Sequence, residues 1–357
     1  PLILIGHDNG VLLREFAAAS PGRTVSLDPG FVEYDATDYA DYVAYFSSQG
    51  PAIGTGGFKP DLVAPGTDLY AATQMFDDQG DMFDKSGYTA VQGTSFAVPL
   101  VAGAVALSRQ FFPGLVRFPE NQRAAILKSS VVNTADPEIY DVNSNGETIY
   151  ASVVAMGSGK LDAESALATL VTVSPATLSF GVLSDKEWPV RRSLVFRNHS
   201  AAPLTLSLSR ERWTDDNRGQ ITITPSIFVL QAGAESQPVK IELGGQAPAS
   251  GRYEGVIKVG GAGAPFQIPF LYLVGDGVPH NMIPVRNGSF TGQVDKSLRG
   301  GLLFKVVDRY GVPVANVPVK WRVVTGGGEI TAAHPTLSDP RTDVYGIGEA
   351  TTLYLGD

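Results

Sequence analysis

The sequence contains no cysteine, only four histidines and no excess of positive charge. Without cysteine no disulfide bond can form, so thiols carry no information on the redox compartment. The formal net charge of −9 argues against nucleic acid as a partner, because phosphate binding requires a positively charged face. No apolar run reaches the ~18 residues that a membrane-spanning helix needs, and no signal peptide is visible.

The length and composition are those of a multidomain globular protein. The 357 residues suggest two or three domains, and 43% of them are hydrophobic and 18% charged. The 40 glycines and 24 prolines favour a second half that is rich in turns and strands. Because the first residue is Pro1 rather than methionine, we expect the coding sequence to begin earlier.

The most informative stretch is residues 93–103, with the sequence Gly-Thr-Ser-Phe-Ala-Val-Pro-Leu-Val-Ala-Gly. Thr94 and Ser95 are good helix N-cap residues, and Pro99 suits a first turn that needs no donor there. The apolar run that follows predicts a buried helix. A serine at the start of such a helix lies where backbone N–H groups and the helix dipole favour developing negative charge. A nucleophilic serine requires that environment.

This order of residues resembles the serine motif of the subtilisin-like proteases, Gly-Thr-Ser-x-Ala-x-Pro-His-Val-Ala-Gly. The resemblance implies that Ser95 is the catalytic nucleophile and that its own N–H donates to the oxyanion, with Gly93 and Thr94 shaping the site. The family's histidine after the proline is Leu100 here. That histidine is not a member of the family's triad, so the departure concerns local packing more than chemistry.

Further segments resemble the same family in the same order. Residues 46–51, Phe-Ser-Ser-Gln-Gly-Pro, resemble its Phe-Ser-Ser-Arg-Gly-Pro, with Gln49 in place of arginine. Residues 59–66 resemble its Lys-Pro-Asp-Ile-x-Ala-Pro-Gly, and residues 157–167 resemble its closing helix. The resemblance implies that residues 31–170 form the C-terminal half of an α/β, subtilisin-like catalytic domain that acts on protein or peptide substrates.

The other members of a subtilase triad have no match in the chain. The family's histidine base lies in His-Gly-Thr-His-Val-Ala-Gly, and the surroundings of His7 do not resemble it. The later histidines lie in strand-rich sequence, and no Asp-Ser/Thr-Gly strand end or oxyanion asparagine precedes the serine motif. We therefore expect the histidine and aspartate to come from sequence ahead of Pro1, and the chain alone to be inactive.

Two acidic segments raise the question of calcium. The segment between Phe76 and Tyr88 contains four aspartates, which could hold Ca²⁺ or simply form a solvated loop. Residues 141–146 match the first half of an EF-hand loop, but Ser152 occupies the position of its bidentate glutamate. Since Asn-Gly between short apolar runs is a strong hairpin signal, a turn is favoured there. We expect no metal or other cofactor, with calcium as the alternative.

The first 30 residues suggest a strand at 1–5, a turn at 8–10, a helix at 11–19 and a strand at 24–27. This order resembles the end of a protease-associated domain, an insert that some subtilases carry ahead of the serine motif.

The second half changes to short alternating runs separated by turns, which indicates β-sandwiches. The runs occur at residues 192–196, 204–208, 221–223, 239–243 and 255–259. Residues 171–276 open like the fibronectin III-like domain that follows many subtilase catalytic domains. Residues 280–357 resemble bacterial Ig-like domains of the invasin type, including a turn motif at 342–350. Because the chain stops before a last strand could close this sheet, we expect it to be truncated.

The sequence thus predicts an α/β, partial subtilisin-like fold followed by two all-β sandwich domains. The function implied is serine endopeptidase action through an acyl-enzyme on Ser95, in a secreted or cell-surface bacterial protein. Leu100, Gln49 and the Ig-like module support an alternative, a catalytically inactive subtilase scaffold that acts in surface adhesion or binding.

Overall fold

The computed structural model divides the chain into two compact units, Pro1–Ala40 and Asp41–Asp357. The structure describes residues 7–24, 40–52, 56–183, 188–214, 218–286, 296, 302–324, 328–334 and 347–354.

The first unit contains one described helix, α1, at His7–Ala19. The helix predicted for residues 11–19 is confirmed, but the turn predicted at residues 8–10 is wrong, because those residues form the first turn of α1. Aspartate, asparagine and glycine are common at helix starts as well as in turns, which explains the error. The strand predicted at residues 1–5 lies outside the described residues, as does all but Thr24 of the one at 24–27.

The second unit begins with a helix-containing part, residues 41–169. Its elements are β1 (Leu69–Ala72), β2 (Tyr88–Val91), α2 (Thr94–Phe111), a 3₁₀ helix (Pro113–Arg117), α3 (Glu120–Val132), β3 (Tyr140–Val142), β4 (Thr148–Tyr150), α4 (Val153–Met156) and α5 (Ala163–Ala168). β1 pairs with β2, and β3 pairs with β4, each as an antiparallel hairpin.

Two local predictions in this part are confirmed. The turn between β3 and β4 is closed by Asn143, whose side-chain oxygen accepts from the backbone N–H groups of Asn145 and Glu147. Gly146 in the same turn has φ 80°, which only glycine adopts without strain. The closing helix α5 is capped by Asp162, whose carboxylate accepts from the N–H of Ser165 at 2.9 Å.

Residues 171–274 contain nine described strands in two sheets. The strands are β5 (Val171–Ser174), β6 (Leu178–Leu183), β7 (Val190–Asn198), β8 (Leu204–Arg212), β9 (Gly219–Thr224), β10 (Ile227–Leu230), β11 (Val239–Gly245), β12 (Gly251–Gly260) and β13 (Gln267–Val274). One sheet has the order β10-β8-β12-β13-β6 and the other β5-β7-β11-β9. Inward side chains of both sheets, among them Phe196, Ile257 and Phe270, share one hydrophobic core.

All five alternating runs predicted in this part lie within strands, namely β7, β8, β9, β11 and β12. The other four strands of this part, β5, β6, β10 and β13, were not predicted. The last part of the chain forms a further, four-stranded sheet of order β14-β15-β17-β16. Its strands are β14 (Asn281–Arg286), β15 (Leu302–Val307), β16 (Glu329–His334) and β17 (Ile347–Tyr354). Of the turn motif predicted at 342–350, residues 342–346 lie outside the described residues and the rest belong to β17.

A buried polar network joins the helix-containing part to the two sheets. The amide nitrogen of Asn133, at the end of α3, donates to the carbonyls of Ala176 and Gln267 at 2.7 and 2.8 Å. The hydroxyl of Ser129 donates to Asn133 and accepts from the N–H of Val173. Because Ser129 and Asn133 are both fully buried, these bonds tie the two parts together at a defined register.

Apolar packing reinforces the same contact. Leu271 and Leu273, on the outer face of β13, pack with Phe58, Val153 and Val154 of the helix-containing part. β13 is therefore buried on both faces, one against the core of the sheets and the other against this contact.

Candidate active site

The serine motif forms a loop that turns directly into α2. The helix begins at Thr94, with Gly93 as its N-cap at φ 145° and ψ 150° and without a side-chain cap. The prediction that Thr94 or Ser95 caps the helix is therefore wrong: both lie inside its first turn. A residue with a Cβ would be strained at the φ of Gly93, so the cap position requires glycine and cannot supply a capping side chain.

Ser95 lies at the second helical position and is exposed. The N–H groups of the first helical turn have no intrahelical acceptor, and they carry the positive end of the helix dipole. The Ser95 hydroxyl and its own N–H are thus both available at a helix N-terminus. The geometry suits a nucleophile with an adjacent oxyanion donor.

The loop containing residues 59–66 contacts the serine turn through its backbone. The N–H of Gly93 donates to the carbonyl of Gly66 at 2.7 Å, and the carbonyl of Gly93 accepts from the N–H of Phe96 at 3.0 Å. A Cβ on Gly66 would lie 3.0 Å from the Gly93 carbonyl oxygen. The motif at residues 59–66 and the serine motif therefore meet at the backbone, in an approach that glycine allows.

Glycines also bring the other motifs against this loop. A Cβ on Gly50 would lie 2.0 Å from the carbonyl oxygen of Lys59, and one on Gly157 would lie 2.5 Å from the carbonyl carbon of Asp61. The N–H of Ser158 donates to the carbonyl of Asp61 at 3.0 Å. The four segments that were singled out in the sequence are thus adjacent in the structure.

Asp61 has a structural partner that the sequence analysis missed. Its carboxylate forms ion pairs with Lys59 and with Lys128 of α3, each at 2.6 Å. Burial acts to raise the pKa of Asp61, but the hydrogen bonds and charges of Lys128 and Lys59 outweigh it and hold the pKa below its ordinary value. The pair between Lys128 and Asp61 fastens α3 to the loop that supports Gly93.

The prediction that α2 is a buried helix is wrong for this structure. Of its eighteen residues, only Ala104 and Ser108 are buried, whereas Val98 and Phe111 are 64% and 61% exposed. Leu100, which stands where the resemblance has histidine, is also exposed. Periodicity and composition measure how apolar a helix is, but they do not identify what it packs against.

Pro99 is the sixth residue of α2 and not part of its first turn, so that prediction is also wrong. Its missing N–H cannot donate to the carbonyl of Ser95, four residues earlier. The carbonyl of Ser95 therefore lacks the hydrogen bond that a regular α-helical residue accepts from the residue four positions later.

The structure describes two histidine side chains, those of His199 and His280, and neither contacts Ser95. His280 is exposed beside β14, and the side chains of His7 and His334 lie outside the described residues. His199 lies against the Phe112 ring, with its Nε2 2.8 Å from the hydroxyl of Thr172. Burial, with the nearby charge of Arg197, lowers the pKa of His199 to about 4. Its surroundings are those of a neutral structural histidine.

Comparison with protein families agrees with the motifs around Ser95. Residues 33–165 match the Subtilase family, Peptidase S8. These residues form a subtilase-family domain. The match includes the serine turn, the loop at residues 59–66 and the β3–β4 hairpin, and it ends inside α5.

Several proteases are similar to this chain. It is 28% identical over 278 residues to the minor extracellular protease Vpr of Bacillus subtilis, covering 75% of this chain and 32% of Vpr. It is 31% identical over 176 residues to the subtilisin-like protease SBT1.2 of Arabidopsis thaliana, covering 47% and 21%. It is 29% identical over 179 residues to the PII-type proteinase of Lactococcus lactis subsp. cremoris, covering 48% and 9%. The chain thus spans about a third or less of these relatives.

Among solved structures, a PapD-like domain of human CEP192 aligns with 30% of this chain and 86% of its own length, at 14% identity. Its TM-score of 0.25 supports no inference about function.

The acidic loop of the subtilase domain is ordered by its own hydrogen bonds. The carboxylate of Asp77 accepts from the N–H of Gln79, and that of Asp84 accepts from the N–H and hydroxyl of Ser86. Among the described residues, no group of three or more acidic or histidine side chains could hold a metal ion. The calcium alternative remains a prediction. In the same described ranges, no helix is both long and apolar enough to cross a membrane.

Proposed function

We propose that this chain carries the nucleophile of a subtilisin-like serine endopeptidase and that Ser95 is that nucleophile. The observation that carries the proposal is the exposed Ser95 hydroxyl at a helix N-terminus, on a turn supported by the other family motifs. The similarity to an extracellular protease and to other proteinases supports the same reaction class.

In this mechanism the Ser95 oxygen attacks a peptide carbonyl carbon, and its proton passes to a histidine base. The N–H of Ser95 donates to the oxyanion that forms. The amide C–N bond then breaks, the base returns the proton to the leaving amine, and water hydrolyses the acyl-enzyme and restores the hydroxyl. Gly93 and Thr94 shape the approach to Ser95.

The histidine and its aspartate are supplied by polypeptide outside residues 1–357 in this proposal. The absence of any described imidazole beside Ser95 supports it, as does the lack of the family's histidine motif in the sequence. The chain by itself is then inactive toward peptide bonds. The exposed face of α2 agrees with this, because a nucleophile-bearing helix in a complete site has neighbours on its apolar side.

The strand-rich parts serve as packing and spacing modules in an exported bacterial protease. Residues 171–276 act as a fibronectin III-like β-sandwich and residues 280–357 as a bacterial Ig-like domain. The shared core of the two sheets supports the first assignment, and the packing of Phe304, Val306 and Val314 with Trp321 supports the second. Residues 1–30 act as the end of a protease-associated insert.

Cleavage of denatured casein by the protein as its source cell produces it tests this function. We expect Ser95→Ala to reduce the rate at least a thousandfold, because the nucleophile acts as a unit with its base. Ser144→Ala, at an exposed serine in the β3–β4 turn, is the control and should leave the rate unchanged. The isolated chain should not cleave casein.

Two results would contradict the proposal. Equal cleavage by the Ser95→Ala variant would show that another residue is the nucleophile. A folded protein that cleaves nothing would favour the alternative, an inactive scaffold for surface adhesion, for which Leu100 and Gln49 are the supporting departures.

A further inference from the structure

A cavity of about 520 Å³ lies where the subtilase domain meets the strand-rich part, and it is lined by neither Ser95 nor its turn. Tyr150 and Met156 contribute to it from one side, and Trp213 and Glu254 from the other. This volume lies in the range of small-ligand sites, which combine apolar walls with a few polar groups.

Glu254 is the buried charged group of this cavity. It lies on β12 between Tyr253 and Gly255, and the side chains of Tyr253 and Ile257 point into the core of the two sheets. Because successive side chains of a strand alternate, Glu254 projects from the opposite face, toward the subtilase domain. Only 6% of the residue is exposed, although a carboxylate is costly to bury without partners.

The carboxylate of Glu254 is only partly satisfied. The backbone N–H of Val153 donates to it, but its Oε2 atom is buried without a hydrogen-bond partner. The nearest cation, Arg252 on the same strand, has its Nε 3.8 Å from Oε2, which is too far for a hydrogen bond. Burial raises the pKa of Glu254, and the charge of Arg252 opposes this only in part. An incoming donor would relieve that cost.

Two other charged residues of the cavity, Lys258 and Glu211, are paired with each other. The ammonium of Lys258 lies 2.5 Å from the carboxylate of Glu211. The side chain of Trp213 also donates to Glu211, and these hydrogen bonds, chiefly that of Lys258, lower the pKa of Glu211. Lys258 therefore forms its ion pair with Glu211 and not with Glu254. Glu138, exposed at the edge, adds a further negative charge.

The walls suit a cation on an alkyl stem rather than a bare metal ion. The aromatic rings of Tyr150 and Trp213 offer faces for cation–π contact and apolar surface for methylene groups. The described acidic side chains do not form a group of three that could coordinate a metal. A primary ammonium or guanidinium, by contrast, supplies the N–H donors that the buried oxygen lacks.

We propose that the Glu254 cavity binds an alkylammonium or guanidinium group, as carried by lysine or arginine side chains and by free alkylamines. The cation donates to Oε2 of Glu254, and its stem lies along Trp213, with Tyr150 over the entrance. This site is independent of Ser95 and of the proposed protease activity.

Calorimetric titration of the whole chain tests this site. The probes are the N-acetyl methylamides of lysine and arginine, the neutral norleucine analogue, and cadaverine. We expect saturable binding of the cations and none of norleucine. Glu254→Gln, which keeps the shape of the side chain, should weaken cation binding about tenfold or more, since it removes a charged acceptor. Glu242→Gln, at a half-buried glutamate on β11 that pairs with Arg191, should leave it unchanged.

A second variant changes an exposed residue of the cavity, so its effect on binding can be separated from an effect on folding. Tyr150 is 70% exposed, so Tyr150→Leu should fold normally and weaken cation binding a few-fold through the lost ring. Cadaverine that binds as tightly as the amino-acid probes would identify free amines as the natural source, whereas tighter amino-acid binding would identify a polypeptide side chain. Equal binding of norleucine, no binding at millimolar concentrations, or no change in Glu254→Gln would overturn the proposal.

Discussion

Helices α2 and α3 belong to the same domain, yet the more apolar of the two is the more exposed. α2 buries two of its eighteen residues. α3 is rich in polar residues, yet its last turns, which include Ser129 and Ser130, are buried. The difference follows from their neighbours. α3 lies against β5 and the end of β13, where backbone groups satisfy its polar side chains, whereas the apolar face of α2 has little described structure beside it.

The domain therefore has a closed side and an open side. The closed side, around α3 and α4, is joined to the strand-rich part by hydrogen bonds and close backbone contacts. The open side presents α2, with Ser95 at its start. We therefore expect stability to depend mainly on the closed side, while the proposed chemistry belongs to the open side. The following substitutions test that division.

The largest effect is expected for Gly157→Ala on the closed side. Gly157 has φ 66°, and its new Cβ would lie 2.5 Å from a backbone carbon of Asp61. The strained φ and the displaced loop together should cost about 4 kcal/mol. Urea unfolding followed by tryptophan fluorescence measures this.

The matched control is Gly233→Ala, because Gly233 has φ 67° and nothing within 4 Å of the added Cβ. It should cost only about 1 kcal/mol, the price of the backbone conformation alone. Equal losses in the two variants would show that the contact between Gly157 and Asp61 does not matter.

The next effect is expected for Asn133→Ala. The variant leaves the carbonyls of Ala176 and Gln267 without their side-chain donor in a buried contact, which should cost about 3 kcal/mol. Asn121→Ala, at an exposed position in the first turn of α3, is the control and should change stability by less than about 0.5 kcal/mol. A loss as small as the control's would mean that the polar network does not hold the closed side together.

A pH effect is expected where the end of α2 meets the strand-rich part. The pKa of His199 is about 4 in the folded chain, below its ordinary value of 6.5. The unfolded chain therefore binds more protons between these values. The stabilisation is fully present above pH 6.5 and is lost as the pH falls to 4, by up to about 3 kcal/mol.

Urea midpoints measured from pH 7 to 4 check this expectation. His199→Gln should flatten the profile in that window. A profile that His199→Gln leaves unchanged would rule out His199 as its cause.

The smallest effects are expected for a valine-to-threonine substitution, which is made once in each of the two helices. Val131→Thr on α3 buries a hydroxyl at a position that is 3% exposed and should cost about 1–2 kcal/mol. Val98→Thr on α2, at a position that is 64% exposed, should cost less than about 0.5 kcal/mol. Thermal unfolding of both variants measures the difference, and similar losses would mean that α2 is as well packed as α3.

Much of the local structure could be predicted from residue pattern. Alternation located five strands, and Asn145-Gly146 located a hairpin, because these signals depend on neighbours in sequence. β13 was missed because it is buried on both faces and so shows no alternation. β10 was missed as a four-residue apolar run, too short for periodicity to classify.

Long-range contacts could not be predicted in the same way. Asn133 and Gln267 are 134 positions apart, and polar residues ordinarily indicate a surface. At the candidate site the motifs identified segments that the structure brings together, but not that Gly93 is the cap or that Lys128 pairs with Asp61. The partly satisfied Glu254 left no pattern in sequence, since its position depends on two parts of the chain meeting.

Fluorophosphonate labelling tests the central claim most directly, because the reagent reacts with an activated serine and not with a motif alone. The protein as its source cell produces it would be labelled, and the adduct mapped by mass spectrometry beside the Ser95→Ala variant. We predict a single adduct on Ser95 that is absent from the variant, and no adduct on residues 1–357 alone. A folded protein that takes no label, or a label that persists in Ser95→Ala, would contradict the account.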